Sequence, residues 1–183
     1  IALLDQNEMS IKKEINSIGV LGGTFDPPHR GHLHISIKSL KILKLKKLIW
    51  AITKKNPFKK KSNLNLSTRI KYCKRIIKKT KFIEVKFLET KIKSNKTINL
   101  INFFYKNKKN EIYFLMGADN LINFHKWHKW KIIPEKSNII VFDRHGYKRK
   151  SMNSTTFKRL NKKNLEFVKF KKVNISSSQL RKI

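Results

Sequence analysis

Cysteine occurs once in 183 residues, at Cys73. No disulfide can form within one chain and no cysteine-based metal site can be assembled, so a reducing, cytoplasmic location is expected. Acidic residues are few: 11 Asp and Glu stand against 44 Lys and Arg, a formal net charge of +33. Long apolar runs are also missing, and nothing approaches the ~18 residues of a membrane span. The opening segment IALLDQNEMSIKKE has no basic stretch ahead of a long apolar run, so it is not a secretory signal. It begins with Ile rather than Met, and Met9 is a candidate start. Residues 1–16 are read as a leader outside the fold, and 17–183 as a single domain with its own core.

The charge excess admits two readings. One is a polyanion partner such as nucleic acid. The other is compositional drift: the lysines are scattered among Asn and Ile over every expected element. Aromatic residues do not alternate with them as in a base-stacking platform. The second reading is preferred, so neither a nucleic-acid nor a membrane partner is expected. A homo-oligomer is compatible with the sequence. The positive field should still draw in anionic small molecules.

Short apolar runs alternate with amphipathic ones. Strands are expected at 17–23, 48–53, 82–89, 111–120, 138–144 and 165–170. Helices are expected from Gly31, with Leu33, Ile37 and Leu40 on its apolar face, at 68–79 behind an N-cap at Ser67, and at 97–107. Another should run from 120 until Pro134 ends it. Continuous apolar strands alternating with helices imply an α/β domain with a doubly wound, Rossmann-like parallel sheet and helices on both faces. Ligands in such folds bind beyond the carboxyl ends of the strands. That rule puts three segments on one rim: GGTFDPPHRGH, MGADN and the loop after NIIVFDR.

Glycine and proline are scarce, six and four, which makes the stretch GVLGGTFDPPHRGHLHIS at 19–36 conspicuous. Gly22 and Gly23 suit a sharp turn and a close backbone approach to a ligand. A helix starting near Arg30 and Gly31 turns its free N–H groups and positive dipole end toward the rim, a natural phosphate site. His29 and His32, three apart, can point at one bound group. The pattern is neither a Gly-x-Gly-x-x-Gly fingerprint nor a Walker loop. No Cys, Asp or Glu cluster completes a metal set around the histidines. Taken alone, the pair leaves anion contact and helix capping both open.

In its context, GGTFDPPHRGHLHIS resembles the signature of the (T/H)xGH nucleotidyltransferase superfamily, and NISSSQLRKI its distal Ile-Ser-Ser-Thr-x-x-Arg partner. FLMGADNLINFHKWHKW and NPFKK resemble the bacterial nicotinate-nucleotide adenylyltransferases. The resemblance covers about residues 18–183, so 17–183 is read as one nucleotidyltransferase domain. It implies adenylyl transfer from ATP to nicotinate mononucleotide, giving deamido-NAD and pyrophosphate, with Mg²⁺ carried by ATP and no protein metal ligands. It implies His29 and His32 as the catalytic pair on the phosphates. ATP contacts are implied for Gly22, Gly23, Thr24, Phe25, Gly117, Asp119, Ser176, Ser177, Ser178 and Arg181, and mononucleotide contacts for Thr97, Trp127 and Arg144. The pattern departs from the family where Ser178 replaces Thr, Asn99 replaces Asp and Leu100 replaces a second Thr. The chain stops at Ile183, so a short or truncated last helix is expected. Alternatives are a phosphopantetheine or nicotinamide-mononucleotide adenylyltransferase and, more distantly, a nucleic-acid-binding protein on the same fold.

Overall fold

The computed structural model describes residues 15–55, 62–143, 146–160 and 164–168. Its strands are β1 (Asn16–Gly23), β2 (Lys47–Ile52), β3 (Ile83–Lys86), β4 (Asn110–Gly117), β5 (Asn138–Phe142) and β6 (Leu165–Val168). All pair in parallel, in the order β3-β2-β1-β4-β5-β6. This is the 3-2-1-4-5-6 order of a doubly wound sheet, so the topological switch point lies between β1 and β4.

Period-two alternation explains why these strands read as unbroken apolar runs. Ile18, Val20, Ile49, Ala51, Ile112, Phe114, Met116, Ile139 and Val141 pack on one face of the sheet. Leu21, Leu48, Trp50, Ile52, Leu115, Ile140 and Phe142 pack on the other. Helices α1 (Arg30–Ile42) and α2 (Leu66–Ile77) cover the second face. The first is covered by α4 (Thr97–Tyr105), which follows the one-turn α3 (Glu89–Ile92), and by α5 (Ala118–Asn123) and the short α6 (Ile133–Lys136). Two further short helices, α7 (Lys148–Met152) and α8 (Thr155–Arg159), sit between β5 and β6. No helix among the described residues is long and apolar enough to cross a membrane.

Several features differ from the sequence expectation: β1 takes in Asn16, read as leader, while β3 ends at Lys86 instead of 89 and β4 at Gly117 instead of 120. The cap of α2 is Asn65, whose side chain accepts the Thr68 N–H at 2.8 Å, and Ser67 is already helical. The helix expected up to Pro134 stops at Asn123 and passes into a 3₁₀ turn, Phe124–Lys126; Pro134 then opens α6 instead of ending a helix. Proline has no N–H to lose in a first turn, which is where helices accept it. On α1, Ile37 and Ile42 are exposed, and the buried positions are Gly31, Ser36 and Ser39. The two serines satisfy themselves on the preceding turn, Ser36 on the His32 carbonyl and Ser39 on the Ile35 carbonyl, each at 2.8 Å.

In a parallel sheet each crossover helix starts at the carboxyl rim and runs back antiparallel to the strands. The first residues of α1, α4 and α5 therefore share that rim. Continuing the register that opposes Leu21 to Leu115 brings Gly23 level with Gly117, at the switch point.

Candidate active site

Between Gly23 and Arg30 the chain must leave the sheet and enter α1. The reversal does not use the glycines, contrary to expectation: neither Gly22 nor Gly23 has a positive φ, and the left-handed residue is Phe25, at φ 49°. That conformation costs a non-glycine residue roughly 1–2 kcal/mol. Burial offsets it. The Phe25 ring is 2% exposed, stacks on Trp50 with centroids 4.9 Å apart, and lies 4.8 Å from the His32 ring. Trp50 is fully buried, and its indole N–H donates to Ser36 Oγ at 2.7 Å. Ser36 in turn donates to the His32 carbonyl, so β2 holds the first turn of α1.

His29 is the N-cap of α1, with an extended backbone. Its Nδ1 accepts the Gly31 N–H at 3.0 Å, and His32 Nδ1 accepts the His29 N–H at 3.2 Å. This is a capping box built from two imidazoles in place of the usual hydroxyl and carboxamide or carboxylate. The rings lie 3.8 Å apart, tilted by 35°. A neutral imidazole whose Nδ1 accepts a hydrogen bond carries its proton on Nε2. Capping occupies Nδ1 of each ring and so does not compete with an anion contact made through Nε2–H. His29 is buried at 5% exposure and His32 is half-buried, so His32 is the more accessible of the two.

Across the switch point, Gly117 is the N-cap of α5 and Asp119 lies in its first turn, where a carboxylate favours the helix dipole. Thr97 is the first residue of α4, at the same rim. Asn99 donates to Ser94 Oγ at 2.7 Å. Trp127 is half-buried, edge-on to Phe124 at 5.0 Å and to Phe114 at 6.2 Å. Arg144, Ser176, Ser177, Ser178 and Arg181 lie outside the described residues. Among the described residues no group of three or more His, Cys, Asp or Glu could hold a metal ion. Cys73 is buried, and burial pushes its thiol up to about 12, against the pull of Arg69.

Two buried residues that brace the turn were given no role in the sequence analysis. Asp26, 5% exposed and joined to Pro27 by a cis peptide, accepts the N–H groups of Asn63 at 2.7 Å and Leu64 at 3.0 Å. Arg69 is 2% exposed and donates to four carbonyls, including that of Thr24. Arg69 stands four residues before Cys73, on the inward face of α2; that spacing gives its face and not the carbonyls it holds.

A cytidylyltransferase-like family model matches residues 20–183. A probable nicotinate-nucleotide adenylyltransferase of Pelagibacter ubique (strain HTCC1062) is 62% identical over 178 residues, covering 97% of this chain and 98% of the relative. Another, from Agrobacterium fabrum, is 38% identical over 140 residues, 75% of this chain and 74% of its own. Among solved structures, Plasmodium falciparum nicotinic acid mononucleotide adenylyltransferase complexed with NaAD shares the fold. Its TM-score is 0.73 at 20% identity, covering 91% of this chain and 83% of that one. A match that runs nearly the full length of both chains, on a sheet whose switch point carries the paired-histidine turn, decides the matter: the chain belongs to the nicotinate-nucleotide adenylyltransferases of the cytidylyltransferase-like family.

Proposed function

We infer that this chain transfers the adenylyl group of ATP to the phosphate of nicotinate mononucleotide, giving deamido-NAD and pyrophosphate. The observation that carries the reading is the imidazole capping box at the switch point, in a chain of this family. A mononucleotide phosphate oxygen forms a bond to the α-phosphorus of ATP, and the bond to the bridging oxygen breaks in line, releasing pyrophosphate. Such transfers need alignment and positive charge around phosphorus more than covalent help. The Nε2–H groups of His29 and His32 supply preorganised donors where negative charge gathers. A divalent cation such as Mg²⁺ enters with ATP, as part of that substrate.

On this reading Gly22, Gly23, Thr24 and Phe25 line the ATP phosphate turn. Gly117 and Asp119 take the adenosine side, Asp119 by hydrogen bonds to ribose or base. Ser176, Ser177, Ser178 and Arg181 form a second anion site for the β,γ-phosphates. Trp127 offers an indole face to the pyridine ring, with Thr97 and Arg144 near the mononucleotide. The work belongs with the cytoplasmic ATP pool. The test is pyrophosphate release from ATP with nicotinate mononucleotide, nicotinamide mononucleotide and phosphopantetheine side by side. The first should be the best acceptor; preference for phosphopantetheine would overturn the assignment.

A further inference from the structure

We propose that Arg69 and Asp26 act as positioning residues that clamp the turn carrying His29 and His32, and that turnover depends on this clamp. The proposal rests on the adenylyl-transfer reading for its kinetic arm alone.

Arg69 is a buried cation held by backbone carbonyls. Its guanidinium Nε donates to the Leu64 carbonyl at 3.1 Å and Nη1 to those of Thr24 and Thr53 at 2.7 and 2.8 Å. Nη2 donates to the Lys54 carbonyl at 2.9 Å. No carboxylate pairs with it among the described residues. Taking a charge out of water is costly, and a buried ionic group is weak evidence for stability in itself. Its geometry is informative. The four acceptors come from three separate segments: the phosphate turn (Thr24), the end of β2 (Thr53 and Lys54) and the stretch just before α2 (Leu64). A planar fork of fixed donors can hold three segments in one arrangement; a lysine ammonium on a flexible stem cannot reproduce it.

Asp26 closes the clamp from the other side. It belongs to the turn and takes the N–H groups of Asn63 and Leu64, while Arg69 takes the Leu64 carbonyl. The backbone at Leu64 is therefore gripped at both its N–H and its C=O, by one residue of the turn and one of α2. At Thr24 the held carbonyl fixes the plane of the whole peptide that leads into Phe25. Phe25 is the left-handed residue, and its ring touches both Trp50 and His32. The chain of contacts runs from Arg69 through Thr24 and Phe25 to the His32 ring. A displacement of ~1 Å at a reacting centre can cost on the order of 10²-fold in rate.

The experiment compares the full-length wild type with R69K and D26N. Each is checked for folding by circular dichroism and assayed well below its Tm. Two readouts are taken: kcat and KM for ATP and nicotinate mononucleotide, and the ¹H–¹⁵N imidazole spectrum, with His29 and His32 signals assigned by single His→Gln variants. In the wild type both should show the Nε2–H tautomer. In R69K, kcat should fall at least ~10-fold while both KM values stay within about threefold, because alignment in the transition state is what is lost. The His29 and His32 signals should move toward a mixture of tautomers. D26N should show the same pattern more weakly, and it carries the test if R69K does not fold. Folded variants with kcat within twofold of wild type and unmoved histidine signals would overturn the clamp, whatever their Tm. So would a change confined to KM. If the wild type itself gives no pyrophosphate with nicotinate mononucleotide, the substrate reading falls, and the spectra still decide on the clamp.

Discussion

On the proposed function His32 has two roles that a single substitution to alanine would confuse. Its Nδ1 caps the His29 N–H, and on that reading its Nε2–H meets substrate. His32→Ala removes both. Turnover should fall by roughly 10²-fold or more, the scale of losing one preorganised donor. Stability should fall by about 1 kcal/mol, the scale of losing a cap. His32→Gln separates the effects, because glutamine at the third helical position can reach back to the cap N–H. Its Tm should stay near wild type while its kcat stays as low as that of His32→Ala. A glutamine variant with restored turnover would reduce His32 to a cap. The sequence made the histidines legible because two of them flank Arg-Gly in a stretch rich in scarce glycine and proline. Phe25 as the left-handed residue was not legible, since aromatic side chains rarely adopt that conformation. It is tolerated through stacking on Trp50, which comes from another strand. Arg69 reads locally as one more basic residue among 44. Its role depends on carbonyls from 5 to 45 residues away in the chain.

At the level of elements, the strands were readable because β1, β2, β4 and β5 are buried on both faces and so carry unbroken apolar runs. Helix ends were not readable to the residue, because several polar residues compete for each cap. Before α2 the expected cap is Ser67, and the structure uses Asn65 two residues earlier. The choice has a measurable consequence. Asn65→Ala should cost about 1 kcal/mol, a fall of roughly 2–4 °C in Tm for a chain this size. Ser67→Ala, on an exposed helical position, should stay within about 0.5 kcal/mol of wild type. Equal losses would return the cap to Ser67. Cys73 gives an independent reading of the same helix. It lies on the inward face of α2 with its thiol held protonated by burial. A thiolate reagent at neutral pH should therefore label it only as fast as the helix opens. Asn65→Ala should speed that labelling and Ser67→Ala should not. The inward face of α1 was legible only in part: Leu33 and Leu40 pack against the core. Its apolar residues Ile37 and Ile42 are exposed, while Ser36 is drawn inside by a bond to Trp50 that no helical periodicity could announce.

For the molecule as a whole, the net charge of +33 acts at long range, while discrimination between substrates is local. Stacking by Trp127 would read the pyridine face, which nicotinate and nicotinamide mononucleotides share. Trp127→Ala should therefore weaken both to a similar extent. Preference for the acid must come from donors that meet its carboxylate, and backbone N–H groups at the rim can pair both oxygens. An amide presents its NH₂ to one of those donors and leaves it unpaired, at a cost of about 1–3 kcal/mol, or roughly 10–100-fold in kcat/KM. The field adds a second bias, because nicotinate mononucleotide carries the extra negative charge. The two contributions separate with salt. At an ionic strength of 1 M the Debye length shrinks to about 3 Å, so attraction by exposed lysines is screened while contacts inside the site persist. The expected result is a kcat/KM ratio in favour of the acid that narrows between low and high salt and levels off well above one. A ratio falling to one at high salt would assign the preference to the field alone. An amide preference at both salts would remove acid specificity and leave adenylyl transfer standing.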